Sequence, residues 1–233
     1  MGKVLRIGHR GAAGHTPENT LASVEKAISL GADLVEVDVQ RTSDGHLIII
    51  HDERVDRTTN GAGSVSGMSL GALRELDAGA GCRIPTVEEL LQTVNGRVGL
   101  ILELKIKGLA EQVCKSVHLS SFSGQVIYAS FMHDEVRSIR EADPQAMSMA
   151  LFGRLPNDPI MAAQNAKATH IGLRYATVTK SLAESCHRRG LVVFAYTVND
   201  RQDIQHVISL GVDGIISDFP DRLSAAFFPD RVQ

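Results

Sequence analysis

The sequence predicts an α/β fold, a (β/α)8 TIM-type barrel with a small inserted subdomain after the second strand unit, and three observations predict it. Short apolar runs alternate with helical patterns along most of the chain, the pattern left by βα units around a parallel sheet. The apolar content is 43% with 4% aromatics and no Trp, which is the aliphatic filling of strands covered by helices. At 233 residues the chain falls slightly short of the roughly 250 of a typical barrel. One domain over 1–233 with a single sizeable core is the economical reading.

The first strand is expected at Val4–Gly8 and the first helix at Glu18–Leu30. Thr16 is placed to cap that helix, Pro17 to open it and Gly31 to end it. Its apolar face is Leu21, Val24 and Ile28. A second strand follows at Asp33–Val39, then a run from His46 to His51, joined by the hairpin signal Asp44-Gly45. A two-residue loop there sets Ser43 against His46 and, counting outward, Asp38 against His51. Residues 53–83, rich in Gly and polar side chains, read as an inserted cap-like segment with one short helix, Leu70–Leu76, at the barrel mouth. A helix begins near Thr86.

Alternation then resumes with strands at Val98–Leu104, Gln125–Ala129, Ala146–Leu151, Thr169–Leu173, Leu191–Ala195 and Val212–Ile216. Helices fall between and after them at Leu109–Leu119, His133–Glu141, Asp158–Ala166, Lys180–Arg189, Asp200–Leu210 and Pro220–Phe228. The total is eight barrel strands of about five residues. Ile28–Asp33 echoes Ile208–Asp213 at matching helix-to-strand junctions, as similar βα units would.

A formal charge of −3, with 24 basic and 27 acidic residues intermixed, offers no basic run for counterion release, so nucleic acid is set aside as a partner. The N-terminal residues enter a strand without an apolar leader, and no apolar run approaches 18 residues, so no membrane span is expected. Cys82, Cys114 and Cys186 are an odd, widely spaced set without a C-x-x-C pair, which suits a reducing cytoplasm. The sequence does not set the oligomeric state.

The chemistry lies at strand ends. Alternation puts Val35, Val37 and Val39 on one face of the second strand and Leu34, Glu36 and Asp38 on the other. With the valines toward the helices, both acids face the lumen near the C-terminal end, where barrel active sites lie. Leu100, Leu102 and Leu104 share one face of a neighbouring strand, with Glu103 and Lys105 on the opposite face. Three lumen carboxylates should take up protons or hold a hard cation, Mg2+ or Ca2+ rather than Zn2+. His9 and His51 close two strands and suit a proton donor and acceptor near neutral pH. Arg10 and Lys105 add two cations to this mixture, which fits a phosphodiester held by both. Simple neutralisation of the acids by Arg10 and Lys105 is the other reading of the same charges.

These residues closely resemble the glycerophosphodiester phosphodiesterase family, in His9-Arg10-Gly11, Pro17-Glu18-Asn19-Thr20, Glu36-x-Asp38, Asp44-Gly45 and His51-Asp52. The similarity continues through Arg57-Thr58-Thr59-Asn60-Gly61, Ile84-Pro85-Thr86, Glu103-Leu104-Lys105, Thr197-Val198-Asn199 and Gly211-Val212-Asp213-Gly214, so it spans nearly the whole chain. The resemblance implies a barrel enzyme that hydrolyses small glycerophosphodiesters to sn-glycerol 3-phosphate and an alcohol through a cyclic phosphate. By carry-over, Glu36, Asp38 and Glu103 hold one divalent metal, His9 and His51 are general acid and base in an order the motifs leave open, and Arg10 and Lys105 hold phosphate. Tyr196 stands where relatives often have Trp, which bears on head-group preference. Phe131 reads equally as a pocket wall beside it or as core packing. A lysophospholipase D-like activity on the same site is the alternative, and a non-catalytic sensor should have lost one of these groups.

Overall fold

The computed structural model describes residues 3–224. In chain order the strands are β1 (Leu5–Gly8), β2 (Leu34–Arg41), β3 (Leu47–Ile49), β4 (Gly99–Leu104), β5 (Val126–Ser130), β6 (Met147–Phe152), β7 (His170–Arg174), β8 (Val192–Tyr196) and β9 (Gly214–Ser217). Every one except β3 pairs in parallel with its neighbours, and β1 pairs with both β2 and β9. The sheet thus closes into the expected eight-stranded parallel barrel, with β3 added as an antiparallel strand on β2. The helices are α1 (Leu21–Ser29), α2 (Leu70–Arg74), α3 (Val87–Val94), α4 (Ala110–Leu119), α5 (His133–Ala142), α6 (Pro159–Asn165), α7 (Lys180–Arg188) and α8 (Arg201–Ser209).

Strand alternation divides the core into two shells. Val35, Val37, Val39, Leu100, Leu102 and Leu104 pack outward against α1, α3 and α4. Ile7, Leu34, Ile101, Ile127, Met149, Leu151 and Phe194 fill the lumen. Space inside is tight: a Cβ on Gly172 of β7 would lie 2.4 Å from Leu151 Cδ2, so the missing side chain leaves room for the leucine paired with it on β6. The barrel is a packed core below its mouth.

Several local expectations are corrected. Helix α1 starts at Leu21, not near Glu18, and its cap is Thr20, whose Oγ1 accepts from Ser23 N at 3.1 Å. The reason is Asn19, whose φ of 57° is left-handed and cannot continue into a right-handed helix. Thr16 and Pro17 belong instead to the β1–α1 loop. By contrast α3 has the expected start near Thr86, with a reciprocal capping box between Thr86 and Glu89.

The hairpin register is off by one. Val39 pairs with Ile49, Gln40 with Ile48 and Arg41 with Leu47, and Ile50 N donates to Asp38 O at 2.9 Å. The loop has three residues, Ser43 to Gly45, because Thr42 N bonds His46 O at 3.0 Å and Gly45 turns at φ 88°. Ile50, not His51, therefore stands opposite Asp38. A one-residue shift exchanges the faces of a strand, and His51 lies beyond the ladder, in the turn that follows it.

Residues 53–83 carry a bridge between Arg54 and Ser64, a 3-10 turn at Val65–Gly67 and α2, which ends two residues before the expected Leu76. This segment has its own apolar cluster, in which Val55, Val65, Leu73 and Ala78 pack on Ile48, Ile50 and Ile84. It leans on the β1–α1 loop, since a Cβ on Gly79 would sit 3.0 Å from Pro17. After β9 the chain forms a 3-10 turn, Pro220–Leu223; the remainder of the expected helix Pro220–Phe228 lies outside the described residues. Among the described residues no helix is long and apolar enough to cross a membrane.

Candidate active site

The C-terminal strand ends bring the predicted acids together. In the parallel ladder Asp38 of β2 lies beside Glu103 of β4, and Glu36 is one inward position below Asp38. One carboxylate oxygen from each of Glu36, Asp38 and Glu103 lies within 4.8 Å of the others. Glu36 and Asp38 are buried, at 4% and 1% exposed. Burial pushes the Glu36 and Glu103 carboxyls above the usual range, and the charge of Asp38 pushes them further. Such a cluster favours either retained protons or a multivalent cation.

Each acid is oriented by a specific partner. Arg10 N donates to Glu36 Oε2 at 2.8 Å. Asn19 Nδ2 donates to Asp38 Oδ2 at 2.8 Å. Lys105 Nζ donates to Glu103 Oε1 at 2.7 Å and stands 3.5 Å from Asp38 Oδ1. Burial opposes the charge on Lys105, yet Glu103 and Asp38 outweigh it and hold the ammonium form. Arg10 and Asn19 both occupy the left-handed region, at φ 48° and 57°, a conformation that persists where surrounding contacts enforce it. Here the contacts are Asn19 N to Arg10 O, at 3.0 Å, and the two acids themselves.

Both candidate histidines have an aspartate behind the ring. His9 Nδ1 donates to Asp218 Oδ1 at 2.7 Å, which leaves Nε2 directed at the acid cluster, 4.0 Å from Glu36 Oε2. Asp218 is held by Asn199, whose Nδ2 donates to Oδ2 at 2.6 Å and whose Oδ1 accepts from Asp218 N at 3.0 Å. His51 Nδ1 donates to Asp52 Oδ1 at 2.5 Å. Gln40 Nε2 fixes the His51 turn through the carbonyls of Ile50, His51 and Asp52. A carboxylate on Nδ1 sets the tautomer and leaves Nε2 for chemistry.

Arg57 joins this second histidine to the first strand's loop, bonding both Asp52 and Glu18. Glu18 Oε1 also accepts from Arg10 Nη1 at 2.7 Å. Burial opposes ionisation of Glu18, but Arg57 and Arg10 bring its carboxyl down to about 2. Glu18, Asn19, Asp52, Arg57, Asn199 and Asp218 were not assigned roles from sequence. Five of them fall in recognised motifs, whereas Asp218 was marked only by its place just past the end of a barrel strand.

Phe131 and Tyr196 form one wall. Their rings meet edge to face with centroids 6.0 Å apart, and Tyr196 Oη donates to Phe152 O at 2.8 Å. Phe131 is 45% exposed, and Lys105 Nζ stands 5.9 Å from its ring centre, so the core-packing reading of Phe131 does not hold. Both rings line a small pit of about 30 Å³ that also touches His9, Glu36, Glu103 and Ile216.

The donor set fits a hard divalent cation. Among the described residues Glu36 Oε1 is buried without a hydrogen-bond partner, and so is Arg10 Nε, which stands 3.4 Å from Asp38 Oδ2. An orphaned acceptor and an orphaned donor in one site are costly unless a ligand uses them. The ionisable set around the mouth comprises six carboxylates, those of Glu18, Glu36, Asp38, Asp52, Glu103 and Asp218. Among the described residues the permanent cations ion-paired to them are Arg10, Arg57 and Lys105. These cations are fewer than the carboxyls, and with Glu36 and Glu103 pushed up, retained protons and a bound cation are the two ways to balance the remainder.

Comparison with known proteins gives a consistent result. Residues 9–222 match the model of the glycerophosphoryl diester phosphodiesterase family. A glycerophosphodiester phosphodiesterase of Caldanaerobacter subterraneus subsp. tengcongensis is 37% identical over 235 residues, covering 95% of this chain and 96% of that one. One from Bacillus altitudinis is 34% identical, covering 93% and 95%. Among solved structures, an Oleispira antarctica phosphodiesterase in complex with the product sn-glycerol-3-phosphate superposes with a TM-score of 0.90 at 26% identity, covering 96% of each chain. A glycerophosphodiester phosphodiesterase from Agrobacterium tumefaciens gives 0.86 at 29%, covering 96% of this chain and all of that one.

Proposed function

The chain belongs to the glycerophosphoryl diester phosphodiesterase family and is an enzyme of that class, and from that premise we propose a metal-dependent hydrolase of small glycerophosphodiesters that releases sn-glycerol 3-phosphate and an alcohol. The observation that carries this reading is the pair of orphaned buried atoms, Glu36 Oε1 and Arg10 Nε. The first has no donor or cation on it, and the second, although 3.4 Å from Asp38 Oδ2, makes no hydrogen bond; a metal ion and a phosphodiester oxygen would satisfy them together.

Glu36, Asp38 and Glu103 hold one Mg2+ or Ca2+, which when bound neutralises the acids and polarises the phosphoryl group. Arg10 and Lys105 bind phosphate oxygens and stabilise the charge that grows on them at the transition state. One histidine takes the proton of the substrate's glycerol 2-hydroxyl as that oxygen bonds to phosphorus. The phosphorus bond to the alcohol breaks, and the other histidine protonates the departing oxygen. Water then opens the cyclic phosphate with the two histidines in exchanged roles. Attack from within the substrate exploits a high effective concentration. Asp218 and Asp52 hold the rings of His9 and His51 for these transfers.

The pit beside Phe131 and Tyr196, next to His9, Glu36 and Glu103, supports a substrate whose head group rests against these two rings. The test is release of glycerol 3-phosphate from glycerophosphocholine and glycerophosphoethanolamine with Mg2+, with Ca2+ and after chelation, alongside lysophosphatidylcholine. Metal-dependent release from the glycerophosphodiesters is the expected outcome. Activity confined to the lysolipid would replace the substrate assignment, and inactivity of folded, metal-loaded protein on all three would overturn the reading.

A further inference from the structure

Arg57 lies in the inserted segment, outside the barrel, yet its guanidinium is divided between two carboxylates that each serve a different side of the site. Nε donates to Asp52 Oδ2 at 2.6 Å and Nη2 to Asp52 Oδ1 at 3.1 Å. Nη1 donates to Glu18 Oε2 and Nη2 to Glu18 Oε1, both at 2.8 Å. Behind Asp52 is the His51 ring, and behind Glu18 is the Arg10 guanidinium. We propose that Arg57 is a positioning residue, the clamp by which the inserted segment fixes His51 and Arg10 relative to one another.

The need for a clamp follows from the topology. Arg10 comes from the β1–α1 loop, whereas His51 comes from the turn after β3, outside the hydrogen-bonded ladder. Backbone pairing to β2 brings both loops to the same rim, through Gly11 N to Glu36 O at 3.1 Å and Ile50 N to Asp38 O at 2.9 Å, but it does not align the side chains of Arg10 and His51 with each other. A planar fork that grips two carboxylates at once does so, and a lysine's single ammonium cannot reproduce the geometry. Arg57 is itself about half exposed, at 48% of its side chain, and is not part of the apolar cluster of its segment. Its ion pairs are therefore screened and contribute little to stability. Their effect is on alignment, where a displacement of about 1 Å can cost on the order of 100-fold in rate.

This inference rests on the proposed phosphodiesterase activity, so the experiment carries its own control. Turnover of glycerophosphocholine is measured for the wild type, Arg57→Ala, Arg57→Lys, Asp52→Asn and the double variant Arg57→Ala with Asp52→Asn, each with its thermal midpoint. The expected result is a kcat for Arg57→Ala lower by at least tenfold at an unchanged midpoint, little recovery in Arg57→Lys, and a double variant no slower than the slower single one. A kcat for Arg57→Ala within twofold of the wild type overturns the clamp. Additive losses in the double variant overturn it as well, since Arg57 would then act independently of Asp52. A wild type inactive on this and every other glycerophosphodiester would instead sink the activity on which the inference depends.

Discussion

Asn19 grips Asp38 with both ends of its amide: Nδ2 donates to Asp38 Oδ2 at 2.8 Å, and Oδ1 accepts from Asp38 N at 3.2 Å. The left-handed φ of 57° at Asn19 turns the amide toward β2 and simultaneously stops α1 from starting early. One backbone angle thus links a helix boundary to the aim of a candidate metal ligand. Outer partners of this kind commonly affect metal affinity 10–100-fold.

Asn19→Gly is the clean test of that link, because glycine tolerates the left-handed angle and removes only the amide. The expected outcome is a folded protein whose Mg2+ affinity, measured by titration calorimetry, falls about 10-fold or more. Unchanged affinity would show that Asp38 holds its orientation without Asn19.

Substituting the histidines separates proton transfer from metal binding. His9→Ala and His51→Ala are each expected to lower kcat by about 100- to 10,000-fold, the usual worth of a positioned acid or base, with metal affinity largely kept. Near-normal turnover in both variants would remove the acid–base assignment.

Repulsion within the acid cluster has a stability signature. Adding Mg2+ at about 100 times its dissociation constant should stabilise the fold by about 2.7 kcal/mol, or roughly 5–10 °C in a chain of this size. Glu36→Gln should raise the midpoint of metal-free protein, since the cost of burying that carboxyl, whether as a repelled charge or with a retained proton, is gone, and shrink the Mg2+-induced shift. A variant with the wild-type shift would show that Glu36 does not take part in binding.

His170, buried at the start of β7, is held well below its usual range, at about 4, chiefly by burial. Its folded pKa lies below the unfolded value of about 6.5, so the unfolded chain binds the proton first as the pH falls. Stability from this group is complete above about 6.5 and is lost progressively down to about 4, by an amount of order 3 kcal/mol. Thermal midpoints between pH 7.5 and 4 should therefore fall more steeply for wild type than for His170→Gln, a difference that cancels carboxylates common to both. Parallel curves would place the acid sensitivity elsewhere.

Gly8 immediately precedes His9, and a Cβ there would lie 2.3 Å from Gly11 O and 3.0 Å from Ala27 Cβ. The obstructing atom is backbone and belongs to the same loop that carries Arg10. Gly8→Ala should cost about 1–3 kcal/mol, as overpacking does, and lower turnover more than the loss of stability explains. A fully active and stable variant would mean that the loop has slack.

The periodicity of the chain was enough to place the strands. Val35, Val37 and Val39 alternate with Glu36 and Asp38, and the barrel puts the two sets on opposite faces because the side-chain period of a strand is two. The same rule brought Glu103 to Asp38, since both acids end neighbouring parallel strands. Boundaries that depend on a single backbone angle were not legible. Thr16 and Pro17 look like a helix start by residue type, but Asn19 interposes a left-handed turn that composition does not reveal. The hairpin register failed for a similar reason: Thr42 closes a three-residue loop with its own hydroxyl, accepting from His46 N at 2.9 Å.

By itself, then, the sequence determined the parallel barrel and the convergence of three carboxylates at its mouth, because these follow from local periodicity and from position near strand ends. Tertiary structure alone decided that Asp218 stands behind His9, that Arg57 reaches Glu18, and that Phe131 faces the pit. Those contacts join residues from different loops, up to 209 positions apart in the case of His9 and Asp218. No periodic pattern carries such a pairing; it is set only when the closed sheet brings the loops to one rim.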